Sequence, residues 1–275
     1  MKLIRNTIKT VTAAGAAAAV IAAVADHKEN KNSHVARGVY EAHIKRPLDA
    51  FLATSAAVAL SPVMLGTAVL VRFKLGSPVL FRQDRPGRDE KIFRLYKFRT
   101  MTEAKDAEGN LLSDEERLTS FGKLLRSTSL DELPELLNII KGDMAVVGPR
   151  PLLVRYLTRY NETQKRRHEV RPGLTGLAAA EFRNTGGWER KLALDVEYVD
   201  NITFMNDLKI ILKTVGMVLG RKDINESGEA TASEFMGTGK GADEAVNTGE
   251  AADEAVNTGE ETAADGTTNS GGGAP

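Results

Sequence analysis

The sequence predicts an α+β protein that is attached to a membrane. A run of 22 residues without a charge, Ala50–Val71, is long enough for a membrane helix. The residues that follow mix short β-type runs with helical patterns, which is typical of a small α/β domain. We divide the chain into an N-terminal extension (1–40), a membrane segment (41–75), a folded domain (76–225) and an acidic tail (226–275).

The formal net charge of zero hides a strong asymmetry. The tail carries a net charge of −10, and the 225 residues before it carry +10. A basic body suits anionic lipid headgroups and phosphate-bearing substrates. Nucleic acid is disfavoured, since no binding motif accompanies the charge. The tail repeats ADEAVNTGE and predicts a disordered segment. The absence of cysteine excludes disulfides and thiol chemistry.

The N-terminal extension resembles a signal peptide, with a basic start and an Ala-x-Ala ending at Ala25. Its apolar run is mostly alanine and too short to span a bilayer. We therefore favour a peripheral amphipathic or poorly ordered helix for this stretch.

The uncharged run is interrupted at its middle by Ser61 and Pro62, where proline breaks the helical hydrogen-bond ladder. Both flanks are basic, Lys45-Arg46 before the run and Arg72 to Lys74 after it. Basic flanks draw both ends to the cytoplasmic side. A re-entrant helix-break-helix satisfies both facts, and a kinked spanning helix is equally compatible with the break.

A basic hairpin is expected directly after the membrane segment. Two β-type runs, Val79–Phe81 and Ile92–Phe98, flank a turn at Pro86-Gly87. The stretch holds seven cations: Arg82, Arg85, Arg88, Lys91, Arg94, Lys97 and Arg99. Such a hairpin is either a solvated basic surface or a grip on lipid headgroups.

The most informative stretch runs from Arg126 to Leu153. It predicts a helix with Asp131 as its cap, favoured over Ser129 because Pro134 must lie in the first turn. The helix would end at Lys141-Gly142. Its apolar face would hold Leu133, Leu136, Leu137 and Ile140. A short buried strand, Met144 to Val147, and a loop whose two prolines restrict Arg150 would follow.

The pair Asp131-Glu132 has two interpretations. As a helix cap it would contribute about 1 kcal/mol of ordinary stabilisation. Arg126 and Arg150 flank the unit, however, and arginines suit the neutralisation of phosphate oxygens. A carboxylate pair with arginines indicates metal-assisted phosphoryl chemistry, with the aspartate as nucleophile or metal ligand.

Four further elements are expected in the second half of the domain. Arg155–Val170 has a polar helical pattern, and Arg171–Gly176 (RPGLTG) suits a type II turn. Trp188–Val199 and Asp207–Leu219 read as two more helices. The last is apolar with lysines at its margin, which fits either an interfacial amphipathic helix or a core helix.

SLDELPELLNIIKGDMAVVGPRPLL, followed by RPGLTG, resembles the bacterial sugar transferase family. Its members are monotopic phosphoglycosyl transferases that load a sugar phosphate onto polyprenyl phosphate, and the resemblance runs from about Lys45 to Arg221. It implies a re-entrant membrane helix and a small cytoplasmic α/β catalytic domain with interfacial amphipathic helices. The localisation that it implies is the cytoplasmic face of the bacterial inner membrane.

The resemblance also implies roles for individual residues. Asp131 would attack the phosphate next to the sugar of a UDP-sugar and contact Mg²⁺, and Glu132 would be a general base or second ligand. Phosphate and nucleotide-sugar contacts would come from Lys97, Arg99, Arg126, Arg150, Arg171 and Arg183. Ala179 stands where the family usually has glutamine, so the resemblance implies no polar contact at that position, while the catalytic pair is unaffected.

The sequence thus predicts a phosphoglycosyl transferase that uses Mg²⁺, a UDP-sugar and undecaprenyl phosphate, releases UMP through an aspartyl-phosphosugar, and begins glycan assembly. Membrane lipids are its other expected partners, and nucleic acid is not one. Two alternatives stay open: a metal-dependent phosphohydrolase of nucleotide-sugars, which needs no lipid acceptor, and a membrane-surface scaffold, which needs no nucleophile.

Overall fold

A computed structural model describes residues 34–182, 187–220 and 234–237. The chain divides into two units, Met1–Gly239 and Lys240–Pro275, and all described residues belong to the first. They form an α+β fold with nine α-helices and four short strands: α1 (Lys45–Ala59), α2 (Ser61–Lys74), β1 (Leu80–Pro86), β2 (Ile92–Phe98), α3 (Asp114–Arg117), α4 (Ser120–Ser127), α5 (Glu135–Lys141), β3 (Ala145–Val147), α6 (Glu162–Lys165), β4 (Gly173–Thr175), α7 (Leu177–Phe182), α8 (Trp188–Asp200) and α9 (Phe204–Gly220).

Helices α1 and α2 form a bent pair, with an angle of 63° between them. The break lies at Leu60, and Pro62 stands in the first turn of α2, where its missing amide costs no hydrogen bond. The Ser61 hydroxyl donates to the Val58 carbonyl at 2.8 Å, which satisfies a carbonyl that the break would otherwise free. The predicted break at Ser61-Pro62 is confirmed.

Within the described part of the chain, no helix taken singly has the length and apolar composition needed to cross a membrane, and only the bent pair reaches that length. The outward surface of the pair is nonetheless apolar. Its exposed large side chains are Leu52, Val58, Val63, Leu65, Val69, Leu70 and Phe73.

The bent pair is packed onto the folded domain through α1. Ala50 and Ala53 are buried, and Ala53 packs in the core with Leu136 and Ile139 of α5. The buried Arg46 guanidinium donates to the Ile139 carbonyl at 2.7 Å. This carbonyl belongs to the last turn of α5, where a cation complements the helix dipole.

Strands β1 and β2 pair as the expected antiparallel hairpin, with Leu80 opposite Phe98 and Pro86 opposite Ile92. The first strand is longer than predicted. Only one of its faces covers the core, so the strand continues through residues whose side chains are polar. The connection is also wider than a Pro-Gly turn, since the Gly87 amide bonds the Lys91 carbonyl at 2.8 Å.

Strand β3 was expected, but its partner was not. It pairs in parallel with β4, which places Ala145 opposite Gly173 and Val147 opposite Thr175. The prediction of a type II turn at RPGLTG is therefore wrong. The two backbones approach so closely that a Cβ at Gly173 would lie 2.1 Å from the Gly148 nitrogen, so glycine is required there.

The single helix predicted for Arg155–Val170 is also wrong. The stretch breaks into a 3₁₀ segment at Val154–Arg159, the short α6, and a 3₁₀ turn at Arg166–His168. Asn161 starts α6 by accepting from the Gln164 amide at 2.9 Å, and Gln164 caps in return. A reciprocal capping box of this kind begins a new helix.

Helices α8 and α9 occupy the predicted places and close the core around β3. Tyr198 is buried, and its hydroxyl donates to the Val147 carbonyl at 3.0 Å and to the Asp207 carboxylate at 2.8 Å. Lys45 of α1 reaches the same carboxylate at 2.5 Å. Buried ionic contacts thus join the start of the bent pair to α9.

Candidate active site

The site starts with an unusual turn rather than with a capped helix. Ser129 has a left-handed φ of 54°, and a 3₁₀ turn, Leu130–Glu132, follows it. Pro134 separates this turn from α5. The residue that precedes α5 is Pro134, which has no side-chain acceptor, and the Ser129 side chain makes no capping bond. The prediction that Asp131 caps α5 is therefore wrong.

Because the turn is separate from α5, the apolar face of this helix differs from the predicted one. Leu136 and Ile139 enter the core, whereas Leu137, predicted for the apolar face, is 42% exposed. The helix ends as expected, with Gly142 in the left-handed region at a φ of 100°. The side chains of the turn are therefore oriented independently of those on the helix.

Asp131 is a buried carboxylate, only 7% exposed. Among the described residues, none donates a hydrogen bond to its carboxylate or forms an ion pair with it. Burial and the neighbouring Glu132 charge raise the pKa of Asp131 to about 6, against the opposing effect of nearby cations. An unpaired carboxylate of this kind is available to a ligand or a substrate.

Glu132 is held in place by two cations from distant segments. Lys97 Nζ lies 2.8 Å from Glu132 Oε1, and Arg150 donates to the same oxygen at 2.9 Å. Burial opposes ionisation, but Lys97 and Arg150 outweigh it and hold the pKa of Glu132 below its ordinary value. Glu132 is therefore a fixed anion between two cations.

Glu135 is a third acidic member of the site that sequence reasoning missed. It is 3% exposed and lies 3.2 Å from Lys97 Nζ. Burial and the Glu132 charge raise the pKa of Glu135 to about 7. The signal was present in the sequence, because Glu135 follows Asp131 by four residues and Glu132 by three, which is helical spacing.

We expect Glu135→Gln to stabilise the protein at pH 8 relative to wild type. Because the folded-state pKa is raised from 4.5 to about 7, the folded protein binds more protons than the unfolded chain in that window. The free energy of unfolding of wild type therefore falls as the pH rises from 4.5 to 7, and glutamine removes this fall. Thermal unfolding of both proteins at pH 5 and pH 8 would measure the difference, and a pH-independent gap between them would contradict it.

Asn138 positions α5 against the hairpin and was also missed. It is fully buried; its side-chain oxygen accepts from the Tyr96 amide at 3.1 Å, and its amide nitrogen donates to the Arg94 carbonyl at 2.8 Å. These two bonds hold β2 beside the carboxylates. Lys97, which belongs to β2, is placed by them.

The other predicted cations divide into two groups. Arg126 donates to the Thr100 hydroxyl at 3.1 Å and lies close enough to lower the pKa of Asp131. Arg99 instead contacts the carbonyls of Ser77 and Met101, both at 2.8 Å. The structure therefore groups Lys97, Arg126 and Arg150 with the carboxylate pair, while the hydrogen bonds of Arg99 go elsewhere.

Two candidates for the nucleotide-sugar remain. Arg171 donates through Nε to the Gly142 carbonyl at 2.8 Å, at the far end of α5 from Asp131. Arg183 lies outside the described residues. Arg85, one of the seven hairpin cations, donates to the Pro151 carbonyl at 3.3 Å, and burial together with Arg150 lowers its pKa to about 10.

A metal ion at this site would be held by few protein ligands. In the part of the chain that the structure describes, no three or more His, Asp or Glu side chains group as metal ligands. Mg²⁺ usually takes only one or two protein carboxylates and completes its shell with water and substrate phosphate. The unpaired Asp131 carboxylate fits that pattern as a single ligand.

An acidic pair with Lys97, Arg126 and Arg150 beside it suits phosphoryl chemistry. The family described as bacterial sugar transferase matches residues 40–221, and the chain belongs to this family. It is a sugar-phosphate transferase enzyme.

Three relatives illustrate the breadth of the match. The chain is 52% identical to the uncharacterized sugar transferase EpsL of Bacillus subtilis, over 71% of this chain and 97% of that protein. It is 36% identical to the UDP-glucose:undecaprenyl-phosphate glucose-1-phosphate transferase of Caulobacter vibrioides, over 64% and 69%. It is 34% identical to the UDP-N-acetylgalactosamine-undecaprenyl-phosphate N-acetylgalactosaminephosphotransferase of Aeromonas hydrophila, over 70% of this chain and 47% of that protein.

Proposed function

We propose that the protein transfers a sugar 1-phosphate from a UDP-sugar to undecaprenyl phosphate, releases UMP, and thereby begins the assembly of a glycan. The observation that carries the proposal is the buried Asp131 carboxylate, which has no ion-pair partner among the described residues and lies beside cations that suit phosphate oxygens. The activities that the names of the Caulobacter and Aeromonas relatives state support the acceptor and the donor class.

The reaction has two displacement steps. An Asp131 oxygen attacks the phosphorus next to the sugar, the bridging P–O bond of the diphosphate breaks, and UMP leaves with that electron pair. A phosphate oxygen of undecaprenyl phosphate then attacks the same phosphorus, which releases Asp131 and forms the lipid diphosphate sugar. Both steps use covalent catalysis to divide one difficult transfer into two.

Lys97, Arg126 and Arg150 hold phosphate oxygens and stabilise the charge that develops on them. Glu132 keeps Lys97 and Arg150 in place, and its lowered pKa makes it a weak proton acceptor, which favours an orienting or ligand role over general base. Asp131 and the donor diphosphate would hold Mg²⁺, which neutralises phosphate charge when bound.

The test is UMP release by purified protein with a panel of UDP-sugars. We expect UMP release in many turnovers from one sugar only when both undecaprenyl phosphate and Mg²⁺ are present, and EDTA should remove it. Repeated turnover without the lipid would identify a nucleotide-sugar phosphohydrolase instead. No UMP with any sugar from folded protein would leave a scaffold as the better account.

We also propose that the bent pair is re-entrant, with both ends on the cytoplasmic face of the inner membrane. The 63° bend and the apolar outward side chains support this, as do the basic flanks. Because the chain has no cysteine, single cysteines can be introduced cleanly.

Gly38→Cys and Ser77→Cys, both at exposed positions at the two ends of the pair, should react with a membrane-impermeant thiol reagent only after cells are permeabilised. Leu111→Cys in the folded domain serves as the cytoplasmic reference. Labelling of either end in intact cells would mean that the pair crosses the membrane.

A further inference from the structure

A short segment of the acidic tail, Glu234–Gly237, docks in an aromatic pocket of the folded domain, so the prediction of disorder is wrong for these four residues. Phe235 is 1% exposed. Its ring lies 5.5 Å from Tyr160 in a stacked arrangement, and 5.7 Å and 5.5 Å from Tyr156 and Trp188. Leu192 completes the buried cluster. The aromatic pocket is thus formed by Tyr156, Tyr160, Trp188 and Leu192.

The backbone and side chains around Phe235 are also bound. The Phe235 amide donates to the Tyr156 hydroxyl at 3.3 Å, and its carbonyl accepts from Arg159 at 2.6 Å. Glu234 pairs with Arg159 at 2.7 Å and with Arg155 at 3.0 Å. The folded domain thus contacts an acidic side chain, an aromatic ring and the backbone of this segment. These contacts are more than the burial of one apolar side chain requires.

The aromatic pocket is connected to the active site through one buried arginine. Arg167 donates to the Tyr160 hydroxyl at 3.4 Å and to the Arg150 carbonyl at 2.6 Å. It is 2% exposed and is fixed by Asp195 at 2.7 Å. The ring stacked on Phe235 therefore contacts the residue that supports the backbone of Arg150.

A second connection follows the chain itself. The 3₁₀ segment that carries Tyr156, Arg155 and Arg159 begins three residues after Pro151, in the same loop as Arg150. This segment makes contact with Glu234 and Phe235 along its length. Both sides of the loop that presents Arg150 to Glu132 are thus in contact with the docked segment or with its neighbours.

We propose that Glu234–Gly237 is an intramolecular docking motif that holds the Arg150 loop in its active position. Phe235 is a positioning residue, because it acts through Tyr160, Arg167 and the 3₁₀ segment and touches no reacting group. The inference rests on the proposed function, in which Arg150 holds a phosphate oxygen. A displacement of about 1 Å of such a group is enough to reduce turnover strongly.

The experiment uses full-length Phe235→Ala, in which the aromatic pocket is left open. We expect kcat to fall about tenfold with a smaller change in KM, because Arg150 acts on charge in the transition state. Phe235→Tyr should retain activity, and Leu111→Ala, an exposed apolar truncation elsewhere, is the matched control. A lower melting temperature with unchanged kcat would overturn the proposal, since Phe235 would then be structural only.

Rescue in trans separates positioning from folding. A synthetic peptide with the sequence of residues 233–238 (SEFMGT) should restore most of the kcat lost in Phe235→Ala. Concentrations of about 1 mM are needed, because the covalent link normally supplies the segment at such an effective concentration. The same peptide with Phe replaced by Ala should have no effect. Binding of the peptide without any recovery of kcat would overturn the proposal.

Two readouts do not depend on activity. Trp188 is the only tryptophan of the chain, so its fluorescence reports whether the aromatic pocket is filled. Hydrogen exchange in residues 148–160 should increase in Phe235→Ala and return to the wild-type level with the peptide. If wild type releases no UMP but both readouts respond, the proposed function fails and the docking motif stands. If exchange in this loop is unchanged, the docking motif fails.

Discussion

Asp131→Asn is expected to lower UMP release by a factor of about 10⁴ or more while leaving the fold intact. Asparagine has nearly the same shape as aspartate but cannot form the acyl phosphate. No described residue forms an ion pair with Asp131, so the change leaves no buried charge without its counter-ion. It removes a buried carboxylate whose pKa is raised, and the melting temperature should therefore not fall.

The measurement is single-turnover UMP release with labelled donor, with and without undecaprenyl phosphate. Without acceptor, wild type should release about one UMP per enzyme and retain the labelled sugar phosphate, whereas Asp131→Asn should do neither. Asp84→Asn is the matched control, since Asp84 is 59% exposed on the hairpin. Retention of labelled sugar phosphate by Asp131→Asn would mean that another residue is the nucleophile.

Lys97→Met is expected to reduce both stability and turnover. Lys97 lies within 3.2 Å of two carboxylates, Glu132 and Glu135, and both are largely buried. Removing one partner of a buried ion pair costs about 3–5 kcal/mol, because it leaves uncompensated charge. The loss of a phosphate contact should also lower kcat about 100-fold or more.

The double variant Lys97→Met/Glu135→Gln separates the two effects. Glu132 keeps Arg150 as a partner, whereas Glu135 loses its ion pair with Lys97. Glutamine removes the Glu135 charge, so most of the lost stability should return, as measured by thermal unfolding at pH 8. Turnover should stay low, because the cation that holds phosphate is still missing. If the second substitution restored activity as well, Lys97 would act only by neutralising Glu135. If it restored neither, the two side chains would not be energetically coupled.

Local signals in the sequence predicted much of the fold. The break at Ser61-Pro62 and the end of α5 at Gly142 follow from residues that restrict the backbone where they stand. The hairpin, β3, α8 and α9 follow from short apolar patterns with clear boundaries. Such features depend on neighbours within a few positions, so they are readable without the rest of the chain.

The wrong predictions share a different cause. RPGLTG forms a strand only because β3, some 28 residues earlier, supplies its parallel partner. Val154–Arg159 leaves the helical pattern, and its Tyr156 and Arg159 contact a segment about 80 residues away. In each case a long-range contact outweighs local propensity.

The sequence by itself determined the family and the acidic pair, Asp131 and Glu132, because both are written in one continuous motif. Only the tertiary structure decided which charges act on that pair. It brought Lys97 and Arg150 to Glu132, gave Asp131 no ion pair within the described part of the chain, and added Glu135 to the site. The physical reason is that ion pairing and pKa depend on burial and on distances of a few ångströms between groups that are far apart in the chain.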